Sequence, residues 1–460
     1  MSLISAMNNA TSSMRTIQTD MQVISGNVSN AGVEGYTRKK LNLSPDVNGL
    51  DGGAGVRIIG YQRSTSDAVS KLLSEALSND GLYNTQKDYL SSIQNLLGST
   101  QSSPGLSQTL SDFSAAWKSL AASPEDTTAK QEVIYKAQNL TREVARLANG
   151  LDKIIADAKI DMTASVNDLN VSLARIQELN NEISAADAAN QNSGNMQDER
   201  DEEIQKISAL LKITVVVRPN NQVAIFTPGG SSLLDNSPNT YTWNGTAILS
   251  NGVDVTAVLK GGKIEGLVGV LDQGSSAAVL NDPGKATVYK INEQLDMIVD
   301  LLANAANSFA TAYDSATTGA GELASSFFTG TTRYNFALNT ALANGTSAIK
   351  IAAATPVADD LNLANRSISA GNLSTTNVSY ETFANAMISA QNQNAKQVGD
   401  QADIFSSLKD NYDKRLKDDT GVNVDEEIVR LTQLQNNYAA SARVISTVKQ
   451  MFDIINSLFG

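Results

Sequence analysis

The 460-residue sequence contains no cysteine and no histidine. Without these residues the chain cannot form a disulfide, a zinc–thiolate site, a cysteine nucleophile or a Ser-His-Asp triad. Glycine (31) and proline (8) are scarce as well, and only 5% of the residues are aromatic. Because so few residues interrupt helices, the composition favours a protein built from long helices.

Basic residues are in deficit, since 35 Lys and Arg stand against 48 Asp and Glu and give a net charge of −13. Binding to nucleic acid or to an anionic lipid surface needs a basic face, so we expect neither. An apolar run of about 18 residues is also missing, which predicts no membrane insertion. The first basic residue, Arg15, comes too late for a cleavable secretory signal, so we expect an intracellular protein or export by a route that reads no such signal.

Both ends of the chain carry apolar residues at alternating steps of three and four. This spacing is typical of a helix with a narrow apolar stripe that packs against a partner helix. Such a stripe is most often part of an internal core, but neither stripe adjoins a similar helix in sequence, so we predict that the two pair with each other. The paired helices would still expose apolar surface, which suits a subunit of a polymer. The predicted assembly seam consists of Leu3, Met7, Ala10, Met14, Ile17, Met21, Ile24, Val28, Ile428, Leu431, Leu434, Tyr438, Ala442, Ile445, Phe452 and Ile455.

A third stripe predicts one helix over about 126–186, roughly 90 Å long at 1.5 Å per residue. Further helices are predicted at about 65–98, 105–121, 197–211, 286–313, 379–417 and 425–459. Residues 36–63 alternate in polarity around Asn48-Gly49 and Asp51-Gly52-Gly53, which predicts an extended hairpin. Residues 314–378 show little periodicity and are expected to be irregular, with short strands such as one at 349–351.

Residues 212–284 combine short β-prone runs with Asn-Gly turns, which indicates a small antiparallel domain inserted in a helical protein. The expected fold class is therefore mainly α, with paired terminal coiled-coil helices, a long helical-bundle body and a small inserted antiparallel β domain. The predicted boundaries are 1–35 with 425–460 for the terminal coiled-coil axial domain, 36–211 with 285–424 for the helical-bundle body, and 212–284 for the β-rich outer domain.

Clusters of carboxylates are the candidates for catalysis or metal binding. Residues 198–203 are expected to begin a helix, where acidic side chains in the first turn interact favourably with the helix dipole. Residues 418–427 lack the ligand order of a calcium loop, and a turn before an acidic helix start is the preferred interpretation. We therefore predict no catalytic, cofactor-binding or metal-binding residue, no cofactor and no enzymatic activity.

A motif follows the N-terminal stripe, with Asn27-Val28-Ser29-Asn30, a short loop and then Gly35-Tyr36-Thr37-Arg38. It resembles the N-terminal signature of bacterial flagellar axial (rod and hook) proteins, in which N-[IV]-[AS]-N precedes a loop and G-[YF]. Residues 35–38, the C-terminal residues 424–446, residues 198–201 and Phe327-Phe328 are most similar to the hook–filament junction branch of this family. The residues that match the family motif are Asn27, Asn30, Gly35, Tyr36 and Arg38.

The resemblance implies a structural subunit that joins the hook to the filament of a bacterial flagellum. It implies type III export without a cleavable signal peptide, an extracellular position in the flagellum, and terminal helices that order and pair when subunits polymerise. The implied partners are other copies in a homo-oligomeric ring, the hook protein, the second hook–filament junction protein and an export chaperone on the C-terminal helix.

Two other hypotheses stay open at this point. The chain could be a secreted adhesin or effector that presents a β-rich module on a helical stalk, although such a protein needs no matching stripes at both ends. It could also be an enzyme that uses paired carboxylates, as glycosidases do. The carboxylates of residues 212–284 are scattered among turns, which disfavours the enzyme.

Overall fold

The computed structural model describes residues 3–45, 55–98, 105–189, 191–274, 276–304 and 306–459. The turn residues Asn48-Gly49 and Asp51-Gly52-Gly53 of the predicted hairpin lie outside these ranges. Within them the chain is mainly α with small antiparallel sheets, which confirms the predicted fold class. None of the helices described is both long enough and apolar enough to cross a membrane.

Long helices alternate along the chain with groups of short strands. The helices are α1 (Leu3–Asn30), α2 (Asp67–Leu97), α3 (Leu106–Ala122), α4 (Thr127–Ala188), α5 (Gly194–Leu210), α6 (Gly262–Leu271), α7 (Ala277–Leu280), α8 (Thr287–Ala303), α9 (Ser308–Asp314), α10 (Thr340–Ala343), α11 (Ala354–Asn362), α12 (Tyr380–Thr420) and α13 (Val424–Phe459), with a 3₁₀ turn at Ile351–Ala353. The strands are β1 (Lys39–Pro45), β2 (Val56–Arg63), β3 (Thr214–Val217), β4 (Val223–Phe226), β5 (Ser232–Leu234), β6 (Tyr241–Trp243), β7 (Ile248–Ser250), β8 (Val253–Asp254), β9 (Phe328–Thr329), β10 (Ala337–Leu338), β11 (Arg366–Ala370) and β12 (Leu373–Val378).

The central helix α4 organises the body of the molecule. It begins at Thr127 because the Asp126 carboxylate caps it, accepting a hydrogen bond from the Thr128 amide at 2.8 Å. Its 62 residues bury one apolar stripe against α2, α3, α5 and α6. The long helix predicted over about 126–186 is confirmed, as are the helices predicted at 65–98, 105–121, 379–417 and 425–459 and the strands of the 36–63 hairpin.

The two terminal helices lie against each other in antiparallel orientation. Ser13 of α1 is 3.5 Å from Ser441 of α13 through their hydroxyl oxygens, and Arg430 forms an ion pair of 3.1 Å with Asp20. The hairpin of β1 and β2 packs on α1 and leads from it into α2. The inner ends of the two helices, at Asn30 and Val424, are therefore brought together beside the body.

Two secondary-structure predictions are wrong. The helix predicted over 286–313 is divided into α8 and α9 because Asn304 and Asn307 bond locally: Asn304 Oδ1 accepts from the Ala306 amide at 3.1 Å, and Asn307 Nδ2 donates to the Asp300 carbonyl oxygen at 2.7 Å. The strand predicted at 349–351 is instead the entry to a 3₁₀ turn and α11. There the buried Lys350 ammonium donates to the carbonyl oxygens of Tyr313 and Asp314, at 3.1 and 3.0 Å.

Two three-stranded antiparallel sheets, in the orders β3-β4-β5 and β6-β7-β8, are attached to α4 by asparagine side chains. Asn180 Nδ2 donates to the Val223 carbonyl oxygen at 2.9 Å, and Asn180 Oδ1 accepts from the Val223 amide at 3.0 Å. Asn170 makes the same pair of bonds to Tyr241, at 2.7 and 2.9 Å. Each amide thus takes the place of a neighbouring strand and fixes one sheet to the helix.

Replacing Asn180 by alanine should destabilise this attachment. The Val223 amide and carbonyl groups lie in a buried position and would lose both bonds, at a cost of about 2 kcal/mol in the free energy of unfolding. Asn181→Ala is the matched control, because the neighbouring Asn181 side chain is exposed and its loss should change stability by less than about 0.5 kcal/mol. Urea unfolding of both variants measures the difference, and equal midpoints would show that the amide does not hold the sheet.

Candidate assembly site

The candidate site lies where the inner ends of both terminal helices meet the body, and it is built around Asn27 in the last turns of α1. Asn27 Nδ2 donates to the Lys39 carbonyl oxygen at 2.8 Å, and Oδ1 accepts from the Lys39 amide at 3.0 Å. The same Nδ2 donates to Glu427 Oε2 at 3.1 Å, and the Tyr36 hydroxyl donates to Oδ1 at 3.1 Å. Asn27 is fully buried, so these bonds replace the hydrogen bonds to water that burial removes.

The loop after α1 reverses the chain so that Lys39 reaches Asn27. Asn30 Nδ2 donates to the Gly26 carbonyl oxygen at 2.8 Å near the helix end. Gly35 has a φ of +76°, in the left-handed region that side chains with a β carbon rarely adopt. The Lys39 ammonium then lies 3.4 Å from the centre of the Tyr36 ring, within the range of a cation–π contact.

Arg38 connects this loop to the beginning of α13. Its Nε and one terminal guanidinium nitrogen both lie 2.5 Å from Glu427 Oε1, and the other terminal nitrogen lies 3.1 Å from Glu426 Oε2. The Arg38 amide also donates to the Thr420 carbonyl oxygen at 2.9 Å. The predicted acidic start of α13 is confirmed. The fully buried Glu427 also neutralises Arg38 and accepts a hydrogen bond from Asn27, and the sequence indicated neither contact.

Asp198 of α5 connects the same loop and the hairpin to the helical body. It forms an ion pair with the Lys39 ammonium, accepts from the Thr37 hydroxyl at 2.6 Å and pairs with the Arg63 guanidinium at 2.9 Å. Arg63 also pairs with Asp201 at 2.5 Å. A carboxylate that is nine-tenths buried is thus surrounded by two cations and a hydroxyl donor, which is the arrangement that a buried charge requires. We call the contacts of Asn27, Arg38, Lys39, Arg63, Asp198 and Glu427 the polar junction.

The helix predicted over 197–211 is present as α5, but the expectation that residues 198–203 form its acidic first turn is wrong. The helix α5 begins at Gly194, so Asp198 lies beyond its first turn and serves as an ion-pair partner rather than as a charge on the helix dipole. Arg63 stands 135 residues away in sequence, so no local pattern reveals this pairing. Among the described residues, no group of three or more Asp or Glu side chains is placed to hold a metal ion.

Burial and charge act on the polar junction in opposite directions. Burial lowers the pKa of Lys39, and the nearby Asp198 carboxylate offsets part of this effect. Burial alone would lower the pKa of Arg63, but Asp201 and Asp198 together raise it. Burial, followed by the charges of Asp198 and Glu427, raises the pKa of Tyr36, so its hydroxyl stays protonated and donates to Asn27.

The structure brings the two halves of the predicted seam to one interface and buries them unequally. Its fully packed members are Ala10, Ile17 and Ile24, whereas the exposed members are Met7, Ile428 and Ile455. The half-buried members are Leu3, Met14, Met21, Val28, Leu431, Leu434, Tyr438, Ala442, Ile445 and Phe452. The interface between α1 and α13 is therefore a partly open one, in contrast to the closed stripe of α4.

A second apolar stripe runs along α13 on a face turned away from α1. Val429 is 69% exposed, Val444 is 45% exposed, Met451 is 46% exposed and Ile454 is 59% exposed. The four lie within about one quarter of the helix circumference at 100° per residue. We call them the outer ridge. The sequence-based seam does not include it, because alanine, glutamine and threonine interrupt the ridge at Gln433, Ala440 and Thr447.

Comparisons with known proteins are consistent with this arrangement. The family profile described as flagellar hook-associated protein FlgK helical domain matches residues 90–328, just over half of the 460-residue chain. The profile described as flagellar basal body rod FlgEFG protein C-terminal matches residues 419–458, which include all of α13 except its last residue, Phe459.

Among curated proteins, flagellar hook-associated protein 1 of Escherichia coli strain K12 is 23% identical over 239 residues, which cover 51% of this chain and 43% of that protein. Flagellar hook-associated protein 1 of Bacillus subtilis strain 168 is 22% identical over 494 aligned positions, covering 96% of each. Among solved structures, the flagellar hook junction protein FlgK from Burkholderia pseudomallei matches with a TM-score of 0.47 and 19% identity, over 56% of this chain and 46% of that chain. The matched region thus spans less than half of the Escherichia coli relative.

The helical body and the C-terminal match place the chain in the class of flagellar axial proteins, which are structural components of the flagellum. Within that class, the chain belongs to the family of flagellar hook-associated protein FlgK. The resemblance found in the sequence is therefore confirmed. Membership implies a place in the flagellum.

Asp198→Asn tests the polar junction. The substitution would leave the buried Lys39 ammonium without its carboxylate, which should lower the free energy of unfolding by about 3 kcal/mol. Glu202→Gln is the control on the same helix, where an exposed pair with Lys206 contributes less than about 1 kcal/mol. Chemical denaturation measures both, and equal stability of the two variants would contradict the role of Asp198.

Proposed function

We propose that this chain is a structural subunit that joins the hook to the filament and polymerises through α1 and α13. The observation that carries the proposal is the outer ridge of α13, which remains exposed although α1 already covers the other side of the same helix. Exposed apolar side chains along a helix cost free energy in water, and burial against further helices would recover it. The polar junction would hold the helix pair at a fixed position on the body.

A groove between the terminal helices and the hairpin supports the same proposal. It is lined by Ile17 of α1, Leu43 and Val56 of the hairpin and Leu434 of α13, and has a volume of about 420 Å³. The groove adjoins the outer ridge, because Ala440, which interrupts the ridge, also lines the groove. The ridge and the groove are nevertheless different surfaces, so a ridge that enters the groove of a neighbour would form a heterologous contact. Heterologous contacts build rings or helical assemblies, whereas a two-fold contact would end at a dimer.

The proposed partners follow from family membership. They are other copies in a homo-oligomeric ring, the hook protein, the second hook–filament junction protein, and an export chaperone on α13 during type III export. We propose an extracellular position at the hook–filament junction, a role without catalysis, and an outward position for residues 212–284. The axial unit would comprise residues 1–35 with 425–460, and the body residues 36–211 with 285–424. The paired terminal helices favour this role over that of an adhesin or effector stalk.

Val444→Asp tests the proposal. Because Val444 is exposed on the outer ridge, the carboxylate should leave the monomer as stable as the parent, within about 0.5 kcal/mol. Burying that carboxylate against a neighbouring subunit would cost several kcal/mol, so we expect a large loss of incorporation. Filament growth and motility are measured in cells that lack their own junction protein and produce either the parent or the variant chain.

Ser446→Asp is the matched control, since Ser446 is exposed on the remaining face of α13. It should support filament growth like the parent. If Val444→Asp also supports normal growth, the outer ridge is not an assembly interface. If Val444→Asp melts early as a monomer, its failure to assemble would reflect folding, and the proposal would lose its main support.

A further inference from the structure

Asparagine followed directly by glycine is a chemically reactive pair, and this chain contains five such pairs. The glycine amide nitrogen can attack the carboxamide carbon of the asparagine side chain, because glycine has no β carbon that crowds the approach. The attack requires a side chain that can turn towards that nitrogen and an N–H that no other acceptor holds. The pairs begin at Asn48, which lies outside the described residues, and at Asn149, Asn244, Asn251 and Asn344.

Asn251 and Gly252 form the turn between β7 and β8. Ser250 pairs with Val253, and φ is +51° at Asn251 and +79° at Gly252, as in a two-residue type I′ hairpin. Both turn residues are exposed. Within the described ranges, neither the Asn251 side chain nor the Gly252 amide has a hydrogen-bond partner. This pair therefore meets both requirements for the attack.

The side chain of Asn244 is held in place by hydrogen bonds. Its Oδ1 accepts from the Thr246 amide and hydroxyl, both at 2.9 Å, and from the Ala247 amide at 2.8 Å. Turning the carboxamide towards the Gly245 nitrogen would break these bonds. Each net hydrogen bond that must break first slows the attack by about fivefold.

The other two pairs in the described ranges hold the glycine amide. The Gly345 amide donates to the Leu342 carbonyl oxygen at 3.2 Å, just after α10. Asn149 and Gly150 lie inside α4, where the backbone amides belong to the hydrogen-bond ladder of the helix. Among the described pairs, the one at Asn251 alone leaves both reacting groups unrestrained.

We propose that Asn251 is a site of spontaneous deamidation and isomerisation, with water as the only co-reactant. The Gly252 nitrogen forms a bond to Asn251 Cγ, its proton leaves with the side-chain nitrogen as ammonia, and the pair closes to a succinimide. Water then adds to one of the two imide carbonyl carbons and breaks its bond to nitrogen. Cleavage at Cγ gives aspartate, and cleavage at the backbone carbonyl carbon gives isoaspartate.

Both products change the β-rich module. Each carries a carboxylate where the parent has a neutral amide. Isoaspartate also routes the backbone through the β carbon, which adds a backbone atom between Ser250 and Val253. Because β8 is two residues long and pairs with β7 at two positions, a lengthened turn would shift or release it. The modified fraction would rise with the age of each molecule, since the reaction needs no enzyme.

The test incubates the full-length protein in mildly alkaline buffer and follows each Asn-Gly pair by peptide mass spectrometry. Methylation by protein isoaspartyl methyltransferase identifies isoaspartate. In the folded protein, Asn251 should react at least about fivefold faster than Asn244 or Asn344, because each of those pairs must first break a hydrogen bond. In guanidinium chloride, where these bonds are lost, the three should react at similar rates.

Gly252→Ala and Gly345→Ala are matched variants. Both glycines have a positive φ, and a β carbon at either position would have no described atom within 4 Å. Gly252→Ala should slow the reaction at Asn251 by at least about tenfold, because the methyl group crowds the attacking nitrogen. Gly345→Ala should leave that rate unchanged. Hydrogen exchange at the Val253 amide should become faster in the isoaspartate product.

The proposal is overturned if Asn244 or Asn344 reacts before Asn251 in the folded protein, or if Gly252→Ala reacts at Asn251 like the parent. An equal lead of Asn251 in guanidinium chloride would also overturn it, because the local sequence and not the turn would then decide the reactivity.

Discussion

The structure depends on the buried amide of Asn27, which bonds both backbone groups of Lys39 and the carboxylate of Glu427. These bonds join the end of α1, the start of the hairpin and the start of α13 at one point. Neither Lys39 nor Glu427 could remain charged there without partners, since an unpaired buried charge costs several kcal/mol. Asp198 and Arg38 supply those partners, so the terminal helices and the body are fixed to each other through two groups of ion pairs that Asn27 connects.

The same physical device recurs where the β-rich module meets α4. In all three places the amide of a helical asparagine bonds both the N–H and the C=O of one residue, namely Asn27 with Lys39, Asn170 with Tyr241 and Asn180 with Val223. In each place a helix side chain, and not another strand, satisfies the backbone hydrogen bonds of the β-structure.

The periodic parts of the fold could be predicted from the sequence, and the non-local parts could not. The apolar stripe of α4 and the stripes of the terminal helices follow from steps of three and four residues, which local geometry converts directly into a buried face. The roles of Asp198 and Glu427 depend on cations that stand 159 and 389 residues away. The division between α8 and α9 depends on two asparagines whose side chains compete for backbone groups. The outer ridge is interrupted by Gln433, so its apolar periodicity is weaker than that of the seam and does not stand out in the sequence.

We propose that neighbouring copies cover the outer ridge of α13 in the flagellum. Because the chain contains no cysteine, Val444→Cys introduces a single thiol whose labelling rate can be measured in the monomer and in isolated flagella. The account predicts that assembly slows labelling at this position by at least about tenfold, as expected for a thiol that becomes buried, while Ser446→Cys on the neighbouring face keeps its rate. Equal labelling of Val444→Cys in the monomer and in flagella that contain the chain would contradict the account.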